Sequence, residues 1–156
     1  MTTNPTGVAH LVADHPFLDG IEPSALARLT EQARPVEFPA GTRLFTEGGP
    51  AHSFWLLVDG HIALDTQVPG RGAVVVESLG RGAVVGWSWL FPPHEWHFGA
   101  TAVQATSAVE FDGREVRRLC DADPALGYEL VRRFIRVVID RLQCTRIRLL
   151  DLYRQP

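Results

Sequence analysis

The sequence predicts a mainly β domain, a sandwich or barrel of short strands, with a short helix before it and a long helix after it. Between residues 35 and 112, short β-branched or aromatic runs alternate with turns that contain Gly, Pro and Asp. Ten of the fourteen glycines lie between residues 41 and 99, as expected where turns need positive φ angles. After Gly113 the apolar residues recur at helical spacing.

The elements follow in order along one domain over residues 15–156. Residues 1–14 are small and polar, so we expect a flexible tail there. Pro23 and the apolar spacing after it predict a short helix over about 23–33. Asp59-Gly60 predicts a tight turn between two strands. We place the β-roll at about residues 35–112 and the C-terminal helices at about 114–153.

The long helix that opens at Pro124 predicts a homodimer. An apolar stripe recurs every four residues, with further apolar residues beside it, and a helix of about 28 residues is about 42 Å long, more than a domain of this size needs to cover itself. A surplus apolar stripe usually finds another helix, although an intramolecular lid is the alternative. The predicted dimer residues are Leu130, Phe134, Val137, Val138, Leu142 and Leu149.

Arginines on this helix, Arg132, Arg133, Arg136 and Arg141, lie mostly off the stripe, and we interpret them as a solvated face rather than a nucleic-acid patch. A net charge of −3 and a pI near 6.0 also argue against a general nucleic-acid binder.

Composition indicates a single cytoplasmic domain of 156 residues and 17.2 kDa. The N-terminus lacks the basic and apolar regions of a signal peptide, and no apolar run approaches about 18 residues, so we expect no membrane association. Cys120 and Cys144 lack CxxC spacing, and we expect both to be reduced thiols that pack in the helical region.

Four blocks resemble the cyclic-nucleotide-binding domain of the catabolite-activator type of bacterial sensor. They are HPFLDGIEPSALARL, VEFPAGTRLFTEG, FWLLVDGHIALD and RGAVVGWSWLF, in that order. The matched positions include the Gly41 and Gly48 turns, then Phe54, Leu56, Gly60 and Ile62, then Gly82, Gly86, Trp89 or Leu90, and Phe91. The resemblance covers about residues 15–153. It implies a double-stranded β-helix, or jelly-roll, sandwich and a regulatory role.

The same resemblance locates a phosphate-binding cassette that has lost its polar groups. The family uses a carboxylate directly after the second glycine and an arginine before the next strand, and here those positions are Trp87 and Gly99, with Ala100 at the Ser/Thr position. No arginine occurs between Arg81 and Arg114. We therefore expect the usual binding of cAMP or cGMP to be weak or lost. The candidate pocket residues are Gly86, Trp87, Ser88, Trp89, Leu90, Phe98, Gly99, Ala100 and Thr101.

The segment 86–98 holds three of the four tryptophans. Its aromatic side chains admit three interpretations: core filling, a pocket for an apolar or planar ligand such as haem, or a partner surface. His94 and His97 are candidate metal ligands, but a metal site needs three or four. We predict no metal and no cofactor.

Function follows from these expectations. The sequence has no motif of a known catalytic constellation, so we predict that the protein is not an enzyme. Regulators of this superfamily carry a helix-turn-helix domain after the long helix, and this sequence ends at Pro156, so we expect no direct DNA binding. Our first hypothesis is a dimeric regulatory or sensor module that acts on a separate protein partner. The alternatives are an adaptor that docks a partner through residues 86–98, and a sensor of a planar ligand in the same pocket.

Overall fold

A computed structural model of the chain describes residues 5–154, which form a sandwich of eight antiparallel strands with helices before and after it. The predicted mainly β jelly-roll with a long C-terminal helix is confirmed. The helices are α1 (Pro5–Asp14), α2 (Pro23–Thr30), α3 (Gly113–Ala122) and α4 (Pro124–Arg154), with short 3-10 helices at Pro16–Leu18 and Ser88–Leu90. The strands are β1 (Ala33–Phe38), β2 (Arg43–Phe45), β3 (Ser53–Asp59), β4 (Ile62–Val68), β5 (Gly72–Leu79), β6 (Val84–Val85), β7 (Gly99–Ala102) and β8 (Thr106–Asp112).

The N-terminal segment is a helix and not the predicted flexible tail. In α1, Val8 and Val12 are one helical turn apart and both are buried, which docks the helix on the neighbouring α2, β1 and β8. Two buried apolar side chains compensate for the polar composition, so the prediction for residues 1–14 is wrong over 5–14. Residues 1–4 lie outside the described part of the chain.

The sandwich consists of two four-stranded sheets with the orders β1-β8-β3-β6 and β2-β7-β4-β5. Asp59-Gly60 forms a turn as predicted, but β3 and β4 do not pair with each other, because the chain crosses there from one sheet to the other. Gly60 has φ +107°, and a Cβ added to it would lie 2.6 Å from the Thr106 Cα. Glycine is therefore required both by the backbone angle and by the close strand.

Two aromatic clusters lie on opposite faces of β3. Phe54 points to the helices, where its ring stacks on Phe111 at 4.7 Å and meets Phe134 of α4 edge to face at 5.2 Å. Trp55, the next residue, points into the sandwich, where its ring lies 5.6 Å from that of Phe45. The alternation of side chains along a strand produces this division.

Helices α3 and α4 are held at their junction by a single carboxylate. Asp123 accepts a hydrogen bond from the Leu126 amide at the start of α4, and its other oxygen lies 2.6 Å from the Arg28 guanidinium of α2. The hydrogen bond from Arg28 holds the pKa of Asp123 below its usual range. Asp123 therefore ties the junction of α3 and α4 to α2.

The predicted dimer stripe on α4 is partly wrong. Leu130 and Phe134 are buried in the core of their own chain, Val137 and Val138 are half-buried, and Leu142 and Leu149 are exposed. A row with four-residue spacing advances about 40° per step, so it winds from the buried face to the solvent side along the helix. Every described residue after Arg141 on α4 is exposed, so about 20 Å of helix projects beyond the core.

The two cysteines are free thiols. Cys120 is half-buried against the core, and burial raises its pKa to about 11. Cys144 is exposed, so the prediction that it packs in the domain is wrong for this residue. Among residues 5–154, no helix has the length and apolar character that crossing a membrane requires.

Candidate functional site

The predicted cassette lies between strand β6 and strand β7. Gly86, with φ +95°, turns the chain out of β6, and the 3-10 helix Ser88–Leu90 follows directly. Trp87 sits at the N-cap of this helix but makes no side-chain capping bond. The glycine turn and the helix entry of the family cassette are therefore both present.

Trp96 fills the space that this turn faces. Its indole is 6% exposed and stacks on Phe45 with ring centroids 3.8 Å apart. A Cβ added to Gly86 would lie 2.9 Å from two carbons of the Trp96 six-membered ring. Any side chain at residue 86 would collide with this ring, so the indole and the glycine fit each other.

Little space remains at the cassette. The cavity there measures about 10 Å³, which is about what one water molecule needs, whereas ligand pockets measure about 300–1,000 Å³. The side chains that close it come from strands β2 and β4 of one sheet, from the cassette loop and from α4. They are Phe45, Leu64, Trp87, Ser88, Trp96, Phe98 and Arg141, together with Gly86.

The position that the family gives to its arginine is occupied by an ion pair from other strands. A Cβ on Gly99 would lie 2.5 Å from an Arg43 guanidinium nitrogen and would also collide with Asp65. Arg43 and Asp65 are joined at 2.9 Å, and Asp65 is buried. Because the carboxylate neutralises the guanidinium, Arg43 offers no net positive charge for an anion.

The position that the family gives to its carboxylate is an aromatic contact. The Trp87 ring stacks on His97 with centroids 4.6 Å apart, and the Ser88 hydroxyl and the His97 Nδ1 are 2.8 Å apart. His97 is therefore engaged with the cassette helix. Among the described residues, no group of three or more His, Cys, Asp or Glu side chains has metal-binding spacing, and His94 lies in the loop with φ 58°.

Arg141 is a buried guanidinium at this cavity, and its assignment to a solvated face is wrong. It donates to the Val84 carbonyl oxygen and its Nε lies 3.7 Å from a Glu77 oxygen. Burial lowers the pKa of Arg141, and the Glu77 carboxylate acts in the opposite direction. Arg133 also turns inward and donates to the Phe17 carbonyl oxygen at 2.7 Å.

The structure brings together only part of the predicted pocket. Gly86, Trp87, Ser88 and Phe98 line the cassette cavity. Trp89 is fully buried on the helix side, where it stacks on Phe54 at 4.8 Å. The other predicted pocket residues, Leu90, Gly99, Ala100 and Thr101, do not line the cavity.

Phe45, Leu64, Trp96 and Arg141 line the cavity but were not among the candidate pocket residues, although Trp96 belongs to the aromatic segment 86–98. The first two come from distant strands and carry no local signal. Arg141 did have a signal in the sequence, because it lies seven residues after Phe134 and so shares the buried face of the helix with that residue.

Comparison with known proteins matches residues 35–123 to the cyclic nucleotide-binding domain family. The chain is 31% identical over 136 residues to the CRP-like cAMP-activated global transcriptional regulator of Mycobacterium tuberculosis, covering 87% of this chain and 59% of that protein. The chain thus spans about three-fifths of that curated relative.

Two solved structures illustrate the similarity of fold. A cyclic nucleotide-binding domain from Methylobacillus flagellatus superposes with a TM-score of 0.77 at 18% identity, covering 94% of this chain and 83% of that one. The regulatory subunit of a cAMP-independent protein kinase A from Trypanosoma brucei superposes with a TM-score of 0.71 at 15% identity, covering 95% and 51%.

Proposed function

The chain belongs to the cyclic nucleotide-binding domain family, and from this premise we propose that it is a non-enzymatic regulatory module in which the usual binding of cAMP or cGMP is weak or lost. We further propose that it acts in the cytoplasm as a dimer on a separate protein partner. The observation that carries the proposal is the filled cassette, with a cavity of about 10 Å³ and a neutralised arginine beside it.

The loss of affinity has two sources. A cyclic phosphate and a ribose hydroxyl each lose a charged partner worth about 1.5–3 kcal/mol, which together weakens binding roughly a hundred- to ten-thousand-fold. The ligand must also displace Trp96 from Gly86 and Phe45. A kinase regulatory subunit of the same fold is described as cAMP-independent, which is consistent with keeping the fold without this ligand.

Calorimetry with cAMP and cGMP tests the first part of the proposal. We expect no saturable heat at about 100 µM protein, which corresponds to a dissociation constant weaker than the micromolar range. The cAMP-activated relative from Mycobacterium tuberculosis serves as the positive control under the same conditions. A micromolar or tighter dissociation constant for either nucleotide would contradict the proposal.

The dimer proposal rests on an exposed face of α4 that runs along the domain and continues onto the part of the helix that leaves the core. Exposed residues recur there at alternating spacings of four and three, which is the heptad pattern of a coiled coil. Arg132 and Arg146 interrupt the apolar residues at two positions, as polar seam residues that set the register do. This α4 seam consists of Tyr128, Arg132, Ile135, Ile139, Leu142, Arg146, Leu149 and Tyr153.

Light scattering of the full chain at about 50 µM tests the dimer, because a specific helical dimer has a dissociation constant well below that concentration. We expect twice the 17.2 kDa mass of the chain. Ile139→Asp places a charge in the seam and should yield the monomer. Ile147→Asp is the matched control, since Ile147 is equally apolar and 59% exposed but lies off the seam. A monomeric wild-type chain refutes the dimer.

An adaptor that docks a partner through residues 86–98 is less well supported. Trp89 and Trp96 are buried and Trp87, Leu90 and Phe98 are half-buried, so the large apolar side chain of this segment that is classed as exposed is Phe91, at 46%. A single exposed aromatic residue is ordinary for a protein surface.

A further inference from the structure

We propose that a groove beside the cassette, distinct from the filled nucleotide cavity, binds a small, neutral, planar heteroaromatic molecule that presents a hydrogen-bond acceptor. The groove measures about 450 Å³ and lies at the mouth of the sandwich, where β2 and the turn after it face β3. This volume falls within the range of about 300–1,000 Å³ that is typical of small-molecule sites. The proposal goes beyond the regulatory role above and does not depend on the loss of cAMP binding.

The shape and charge of the groove select for a flat, uncharged ligand. Phe45, Trp55 and Trp96 form part of its wall, and the rings of Phe45 and Trp96 are within 15° of parallel. Because the Phe45 and Trp96 rings already stack on each other, a further planar ring would stack on a free aromatic face of the wall or meet a ring edge on. The residues that line the groove include no Asp, Glu, Lys or Arg, so nothing there would compensate for the burial of a ligand charge.

Two buried nitrogens at the groove indicate the polar group of the ligand. The Trp55 Nε1 and the His52 Nδ1 belong to residues that line it, and neither has a hydrogen-bond partner within the described residues. An indole nitrogen is a donor only, and a buried donor without a partner is unfavourable. Because this Nε1 is itself buried, in a residue that is 5% exposed, an acceptor on a ligand reaches it only when a lining side chain shifts on binding, and the ligand then supplies the missing partner.

Trp96 connects this groove with the cassette. The Cδ1 edge of its indole lies 3.9 Å from where a Gly49 Cβ would be, at the groove, and the far ring packs on Gly86. Trp96 also lines the cassette cavity together with Arg141 of α4. A ligand that moves this indole therefore changes the packing at Gly86 and beside the dimer helix.

The test is a titration of the 15N-labelled full chain with quinoline, followed by NMR. At about pH 7.5 quinoline is neutral. His52 is neutral there too, because partial burial and Arg114 lower its pKa. The four indole N–H signals are assigned by Trp→Phe substitution. We expect a saturable shift of the Trp55 signal with a dissociation constant of about 1 mM or tighter, as the size of the probe allows. Indole, which carries a donor in place of the acceptor, should bind at least about fivefold more weakly.

Substitution separates a hydrogen bond from simple stacking. Trp55→Phe keeps an aromatic ring and removes the N–H, so the affinity for quinoline should fall roughly five- to tenfold while that for indole stays the same. Trp87→Phe, which lies outside the groove, is the matched control and should leave both affinities unchanged. If Trp55→Phe does not fold, the comparison of quinoline with indole on the wild-type chain decides.

Two results would overturn the groove proposal. The first is the absence of a saturable shift of the Trp55 signal up to about 10 mM quinoline, which would mean a dissociation constant much weaker than the expected value of about 1 mM. The second is equal affinity for quinoline and indole. Neither outcome bears on the calorimetry with cAMP. Conversely, tight cAMP binding together with the expected quinoline shift would contradict only the proposed loss of nucleotide binding.

Discussion

Truncation of Trp89 tests whether the aromatic segment belongs to the core. The indole is fully buried, stacks on Phe54 at 4.8 Å and meets Phe134 edge to face at 5.3 Å. Removing a large aromatic side chain from such a site costs about 3–5 kcal/mol in the free energy of unfolding. In a chain of this size each kcal/mol corresponds to roughly 2–4 °C, so Trp89→Ala should lower the thermal midpoint by about 10 °C.

The measurement is urea and thermal unfolding followed by circular dichroism at one fixed chain concentration, because a dimer makes stability depend on concentration. Phe91→Ala is the control from the same segment, and since Phe91 is 46% exposed its truncation should change the stability by no more than about 0.5–1 kcal/mol. Trp89→Phe should be milder than Trp89→Ala, because the buried Trp89 Nε1 has no hydrogen-bond partner within residues 5–154, so that its removal loses no such bond there. If Trp89→Ala leaves the stability within about 0.5 kcal/mol of the wild type, the assignment to the core is refuted.

Two other buried groups yield predictions. Burial lowers the pKa of His15 below 6.5, against the effect of its bond to the Leu57 carbonyl, so the unfolded chain takes up a proton that the folded chain does not. The free energy of unfolding should therefore fall as the pH drops below about 6.5, by at most about 1.4 kcal/mol per pH unit from this group. Urea titrations at several pH values should show that His15→Gln removes this contribution. If the slope of the free energy of unfolding against pH is the same in His15→Gln as in the wild type, the prediction is contradicted. Arg141→Ala breaks a buried contact with Glu77 and should lower the free energy of unfolding by about 3 kcal/mol. Arg148→Ala, at an exposed position of the same helix, is the control. If Arg141→Ala lowers the free energy of unfolding no more than Arg148→Ala does, Arg141 does not anchor α4.

The fold was predictable because its signals are local. Turns at Gly41, Gly60 and Gly86 need positive φ angles, and this requirement is visible in the sequence as glycine between short apolar runs. The location of the cassette came from the resemblance of RGAVVGWSWLF to the family motif, in which Gly82 and Gly86 are matched. The part that Phe45 and Leu64 play in closing the cassette was not predictable, because they reach it from strands far away in the sequence.

The errors on the two helices have different physical causes. Apolar spacing identifies a face of a helix, but it does not say whether that face meets its own domain or another chain. Leu130 and Phe134 belong to the intramolecular face, and the α4 seam lies on a different side of the same helix. In α1, Val8 and Val12 were too few apolar residues to predict a helix, although their burial is sufficient to dock one.

The glycine of the cassette shows why a family motif and its ligand can separate. Gly86 is needed here for two reasons that involve no nucleotide: its φ is +95°, and a Cβ would lie 2.9 Å from the Trp96 ring. At Gly99 a side chain would instead collide with the Arg43–Asp65 pair. Packing alone therefore accounts for the glycines of the cassette, whereas recognition of a cyclic nucleotide needs a carboxylate for the ribose hydroxyl and an unpaired guanidinium for the phosphate. In this chain the glycine turns are present, whereas Trp87 and Gly99 stand at the positions of those two side chains.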